Sequence, residues 1–398
     1  MRFPEFTEEW KEERLNEIAE LSKGVGISKE QLSEEGEPCI LYGELYTKYK
    51  FEIIRKVISK TNIESSNLKR SKRNDVIIPC SGETAIDIAV ARCIPFDNIL
   101  LGGDLNIIRL HKDDGAFMAY QLNGKRKIDI AKLAQGVSVV HLYGENIKSI
   151  KTYNPCLQEQ QKIVKLLSML DERVEIQNKI IEKLETLIKG ITDVLLDNPL
   201  WEKVFLHSFM QFYPSNSLSW EQLSYEDGKI RNLHYGLIHN FSTKGITANS
   251  LPMILPHNEP KQFTLCKVGD VAFADASEDT NEIGKAVEFI SVHPSGTVCG
   301  LHTIHGRDIK NKTFVGFKGF AFNSRYFHDQ IKRLAQGSKV FSITASNLLS
   351  CYIYIPNIAK QEMITKLLHA YEEKIMANKT LLDKYEMQRA YLLQRMFI

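Results

Sequence analysis

Apolar residues recur at alternating steps of four and three along two stretches of the chain. Behind Pro155 they occupy Ile163, Leu167, Leu170, Val174, Ile181, Leu184, Ile188, Ile191 and Leu195, with Gln177 the polar member of the series. Behind Pro356 the same series runs Ile364, Leu368, Tyr371, Ile375, Asn378, Leu382, Tyr385, Arg389, Leu392 and Met396, each 201 residues after its counterpart. A strict 4–3 repeat draws a narrow stripe, the seam of a coiled coil rather than the broad face of a helix lying on one domain. Asn154-Pro155 and Ile355-Pro356 mark the helix starts, and Asn198-Pro199 stops the first helix. Helices of this length span about 50 Å at 1.5 Å per residue. So long a helix with so narrow a stripe needs a partner stripe, and the other copy supplies one. Antiparallel pairing brings Gln177 and Asn378 close together near the centre, where a polar layer sets register at some cost in stability.

The repeat extends beyond the helices. Trp10 is followed 191 residues later by Trp201, and Tyr42-Gly43 193 residues later by Tyr235-Gly236. Asp75-Val76 returns as Asp270-Val271, and Leu133-Ala134-Gln135-Gly136 returns 201 residues on as Leu334-Ala335-Gln336-Gly337. Each match is weak, but their collinear order makes the chain a tandem duplication with small insertions inside the second globular part. Strand-like runs at Asp75–Pro79, Ile99–Leu110, Val268–Ala274 and Cys351–Ile355 make both globular parts mixed α/β (α+β). The division expected is 1–156, helix 157–198, 199–356, helix 357–398. Sheet topology does not follow from the pattern.

Composition adds limits. The chain has 398 residues, 43% hydrophobic and 25% charged, which is ordinary for a globular protein. No run approaches the roughly 20 apolar residues of a membrane helix, and the first residues lack the apolar core of a secretory leader. Seven cysteines without a C-x-x-C pair fit a reducing cytoplasm. The formal net charge of +2 excludes a simple polycation.

Enzyme motifs are absent. No glycine-lysine pair (Gly124-Lys125, Gly228-Lys229, Gly284-Lys285) is followed by the Ser or Thr of a phosphate-binding loop. Gly24-Val25-Gly26 lacks a third glycine, and no Asn-Pro-Pro-aromatic run is present to clamp a flipped adenine. Cys299, His302 and His305 hint at a metal. On a strand, however, the two histidines face opposite ways and nothing completes a tetrahedron, so no metal site is expected. Ser81-Gly82-Glu83-Thr84 looks like a nucleophile turn without an assignable base, which leaves it a satisfied turn.

What remains is equipment for recognition. Lys69, Arg70, Lys72 and Arg73 cluster before a strand, and Lys125 and Arg126 form a second basic group. Lys310, Lys312, Lys318, Arg333 and Lys339 are interleaved with aromatic residues. Any one cluster is as readily a solvated face as a phosphate contact. The two Ala-Gln-Gly turns are better candidates because they recur at equivalent places. Gln135 and Gln336 could read an adenine edge, or could only shape the turns.

This architecture resembles the specificity subunit of type I restriction–modification enzymes, over essentially the whole chain. The resemblance rests on Leu133-Ala134-Gln135-Gly136-Val137-Ser138 and Leu334-Ala335-Gln336-Gly337-Ser338. It rests further on Pro155-Cys156-Leu157-Gln158-Glu159-Gln160-Gln161-Lys162-Ile163, which looks like the family's Pro-x-x-x-Glu-Gln-x-x-Ile helix start. The second helix start, Pro356 to Ile364, departs from it, so the contact made by Glu159 is expected to be lost or altered there. The resemblance implies two target recognition domains and an antiparallel spacer coiled coil with pseudo-two-fold symmetry. Each domain would read one half of a bipartite, asymmetric double-stranded DNA target, with Tyr42, Ser81, Thr84, Ser138, Tyr235 and Ser338 among the candidate contacts. Adenine methyltransferase subunits and restriction subunits would dock on the chain. S-adenosylmethionine, ATP and Mg would belong to those partners, and the chain itself would be non-catalytic. The competing reading is a duplicated coiled-coil scaffold for protein partners without DNA specificity. A stand-alone methyltransferase or nuclease is disfavoured by the missing motifs. Balanced Glu and Lys on the helices dilute any local basic surface, so the isolated chain is expected to bind DNA weakly.

Overall fold

The computed structural model describes residues 2–64, 66–238 and 248–398. It divides into two compact units, Met1–Asn178 with Thr380–Ile398, and Lys179–Lys379. Each unit therefore joins one globular domain to part of both long helices. The helices run Leu157–Leu196 and Ile358–Arg395.

In the first unit a four-stranded antiparallel sheet carries Ala19–Lys23, Leu105–Leu110, Asp75–Pro79 and Arg92–Ile94, in that order. Every residue of Asp75–Pro79 is buried, as an apolar run with covered faces should be, and its proline falls at the strand end. A second sheet pairs Glu37–Ile40 in parallel with Leu100–Leu101. The strand Lys11–Arg14 pairs with Lys151–Asn154, which ties the N-terminal segment to the start of the first long helix.

The second unit repeats this plan. Met210–Tyr213, Thr303–Asp308, Val271–Ala274 and Ala286–Glu288 form the equivalent sheet. Arg231–Leu233 pairs in parallel with Thr297–Cys299, and Glu202–Phe205 pairs with Tyr352–Ile355. Two strand-like runs are shorter than expected. Ile99–Leu110 breaks into Leu100–Leu101 and Leu105–Leu110 because Asp104 turns through a left-handed conformation (φ 57°). Val271 starts its strand only after Gly269, which has φ 88°.

The heptad seam is a buried stripe. Ile163, Leu167, Leu170, Val174, Gln177 and Ile181 are buried in the first helix, with Leu184, Ile188, Ile191 and Leu195 half-buried. In the second, Ile364, Leu368, Ile375, Leu392 and Met396 are buried, with Tyr371, Asn378, Leu382, Tyr385 and Arg389 half-buried. Within the first unit, Ile163, Leu167 and Leu170 share a cluster with Leu392, Leu393, Met396 and Phe397, and with Phe117 and Tyr120 of the domain. Within the second, Ile188, Ile191 and Leu195 pack on the cluster that holds Ile364 and Leu368. The start of one helix thus meets the end of the other in each unit, the arrangement of an antiparallel pair. Gln177 belongs to the first unit. Asn378 belongs to the second, where its amide donates to the Lys374 carbonyl of its own helix at 2.7 Å.

An ionic knot closes the first unit. Arg389 donates to Asp171 at 2.5 Å and to Glu52, and the Tyr120 hydroxyl donates to Asp171 at 2.6 Å. Burial alone would pull the Arg389 guanidinium down, but Glu52 and Asp171 outweigh it and push it up. Burial raises Asp171 even against Arg389.

Candidate nucleic-acid interface

Both Ala-Gln-Gly turns are the bases of protruding hairpins. Gln135 exchanges two backbone hydrogen bonds with His141, at 2.9 and 2.7 Å, and Gln336 does the same with Ser342, at 3.0 and 2.8 Å. The glycines that follow have φ 122° and 131°, and a Cβ on either would collide with the carbonyl of Val139 or Val340. The glycine therefore forms the turn, and the glutamine before it is left exposed. Val137 at the first tip is 97% exposed, and Ser138, Ser338 and Lys339 are exposed too.

The same framework backs each hairpin. In the first domain Val140–His141 pairs with Ser81–Gly82, Leu142 donates to the Cys80 carbonyl and Cys80 to the Asp104 carbonyl, both at 2.7 Å. In the second, Phe341–Ser342 pairs with Ala276–Ser277, Ile343 donates to Asp275 at 2.9 Å, and Asp275 to His302 at 3.2 Å. Tyr235 joins that face, its ring 5.4 Å from His302 and 4.7 Å from His234, with Trp220 a further 4.5 Å from His234. Tyr42 is half-buried against its domain core. Ser81 is buried beside Asp104 at 3.4 Å, and Thr84 caps the short helix Ala85–Ile88.

The basic candidates divide. Lys72, Arg73, Lys125, Lys310, Arg333 and Lys339 are exposed, and Lys69 is half-buried. Arg333 and Lys339 flank the second hairpin. Lys310 and Lys312 lie by the start of the second long helix, where Lys312 meets Glu202 at 3.3 Å and its carbonyl accepts from Gln361. Three further charges are engaged within the protein. Arg70 forks onto Glu37 at 2.7 and 3.1 Å. Arg126 holds Asp129 and the backbone carbonyl of Ile398 and lies over Tyr153. Lys318 is buried against Glu288 at 2.9 Å and presents no charge to solvent. The exposed pair His141 and Tyr143, stacked 6.2 Å apart beside the first hairpin, is absent from the sequence-based candidates. Their alternation around buried Leu142, in extended backbone just past the strand Val140–His141, is the signal that could have found them. Rings flanking an amide and a basic rim suit contact with bases, sugars and phosphates.

The helix starts bear out one detail. Gln160 and Gln361 do the same work: each accepts from a loop amide at 2.8 Å and donates to the carbonyl of the proline before its helix, Pro155 or Pro356. Glu159, fully buried, takes a bidentate Arg2 at 2.8 Å and the indole of Trp10. Its counterpart is Lys360, which lies over the ring of Trp201 at 5.3 Å. The contact is altered, with a cation on the indole face in place of a carboxylate on its N–H.

Residues 7–186 match the type I restriction modification DNA specificity domain. The fold agrees along the whole chain. The S subunit of a type I restriction-modification system from M. genitalium superposes with a TM-score of 0.61 at 17% identity, covering 100% of this chain and 97% of that one. A chain from a structure of type I R-M complex assembly and conformational transition superposes at 0.58 and 15% identity, covering 98% and 97%. Residues 7–186 thus match a DNA specificity domain, and the chain as a whole has the fold of type I S subunits. Among the described residues no helix is long and apolar enough to cross a membrane.

Proposed function

We propose that each unit reads one half of a bipartite, asymmetric DNA target, and that the paired helices set the gap between the halves. The observation that carries this is the duplicated hairpin: Gln135 and Gln336 stand exposed at matching places on the same framework. The rings around them differ, with His141 and Tyr143 in one and Tyr235, His302 and Trp220 in the other, so different half-sites are expected. Two readers on one face of a duplex favour half-sites about 34–36 Å apart. The chain carries no catalytic residues in this reading. Methyltransferase and restriction subunits dock on it and bring S-adenosylmethionine, ATP and Mg, in a cytoplasm that keeps the seven cysteines reduced.

Gln135→Ala and Gln336→Ala, each co-expressed with the methyltransferase subunit, test the assignment. Mapping the modified adenines should show one half of the motif relaxed in each variant and the other half intact. An unchanged motif in both would overturn the role of the hairpins. Binding should also weaken steeply with salt, with a log–log slope of about −0.9 per phosphate contacted. Salt-insensitive assembly would favour the scaffold reading.

A further inference from the structure

We propose that Cys266, Cys299 and His305 form a zinc(II) site in the second domain. Their ligand atoms all lie within 4.8 Å of one another, and all three residues are buried. The two sulfurs are 3.6 Å apart. With Zn–S bonds of about 2.3 Å, two corners of a tetrahedron stand about 3.8 Å apart, so the sulfurs already sit at a coordination edge. A disulfide would need them at about 2.05 Å.

The histidine is prepared for the role. Its Nε2 bonds to Asp270 at 2.7 Å, and Asp270 is held by the Arg307 guanidinium and by the backbone N–H of Lys267 at 2.8 Å. A carboxylate on the far nitrogen fixes ring orientation and tautomer in metal-bound histidines. The other nitrogen, Nδ1, is buried, makes no well-aligned hydrogen bond, and has only the Cys266 and Cys299 sulfurs close by. A thiol is a weak partner for a buried imidazole nitrogen, and a metal ion would satisfy it better. Two thiols and an imidazole are a donor set that selects zinc over magnesium or calcium. A water can complete the tetrahedron.

The duplicated fold supplies an internal control. Asp75 grips Arg109 at 2.8 and 2.7 Å and accepts from the Lys72 amide at 2.8 Å, as Asp270 does with Arg307 and Lys267. On that shared frame Cys266, Cys299 and His305 correspond to Ser71, Leu101 and Ile107. Leu101 and Ile107 lie in an ordinary apolar cluster. The fold therefore does not require sulfur or imidazole at this junction, and the second domain has all three. Cys299 and His305 come from two different sheets, so the ion would clip them together.

The test is metal analysis of the full-length chain purified under reducing conditions without chelator. About one zinc per chain is expected. Cobalt(II) exchanged into the site should give thiolate-to-cobalt charge-transfer absorption with tetrahedral d–d bands. Cys266→Ser and Cys299→Ser should lose the metal, whereas Cys156→Ser should keep it. Should the two site variants fail to fold, the cobalt spectrum of the unaltered chain decides. A folded chain that takes up no stoichiometric zinc or cobalt on dialysis overturns the site. So does thiol titration showing Cys266 and Cys299 paired as a disulfide.

Discussion

In the first unit the second helix carries a charge in its seam before its apolar end: Arg389 reaches to Asp171 and Glu52. In the second unit the same seam position on the other helix is Ile188, which packs on an apolar cluster. The junction between the two sheets differs in the opposite sense, apolar in the first domain and built of Cys266, Cys299 and His305 in the second. One backbone plan thus tolerates either chemistry at a given point. What stays the same is the polar skeleton that shapes backbone: the Asp75 and Asp270 clamps, the Gln160 and Gln361 helix starts, and the hairpin glycines. Duplicated halves that keep the skeleton and change the filling can face different DNA sequences from equivalent positions.

That comparison can be broken in graded ways. The largest effect should come from inserting four residues into the first helix near Gln177, which shifts the heptad register. The gap in the modified DNA motif should change or modification should cease, and an unchanged gap would remove the ruler model. Next, Arg389→Ala leaves Asp171 and Glu52 buried without their cation. Breaking a buried pair from one side costs about 3–5 kcal/mol, to be read from urea unfolding, against about 1–2 kcal/mol for the half-buried Ile188→Ala. Glu159→Ala strands Arg2 and the Trp10 indole, and a loss of about 1.5–3 kcal/mol is expected for its charged hydrogen bonds. Lys360→Ala removes an exposed cation–π contact worth about 0.5–1 kcal/mol. Equal costs for Glu159→Ala and Lys360→Ala would contradict the difference drawn between the starts of the two long helices.

Much of this is legible in the sequence because it is periodic or local. The 4–3 seam needs only spacing, and the tandem plan needs only collinear landmarks, so the helices and their pairing can be read directly. The altered contact at Lys360 is visible because one residue departs from its counterpart. The charged candidates are less legible for a physical reason. Lys318 reads as a surface cation until Glu288, 30 residues earlier, is folded against it, and Arg70 reads as free until Glu37 closes on it. The triad around His305 is half visible. Spacing groups Cys299 and His305 with His302, but His302 turns out through φ 55° to meet Asp275, and Cys266 arrives instead by sheet pairing from 33 residues away. His141 and Tyr143 escape notice because the hairpin that exposes them is set by backbone bonds that composition does not reveal.

The proposed function needs two dissimilar readers held at a fixed separation. The map of modified adenines in cells co-expressing this chain with its methyltransferase subunit tests it most directly. The account predicts a split motif with two unlike halves and one constant gap. A contiguous motif or a palindromic one would contradict it.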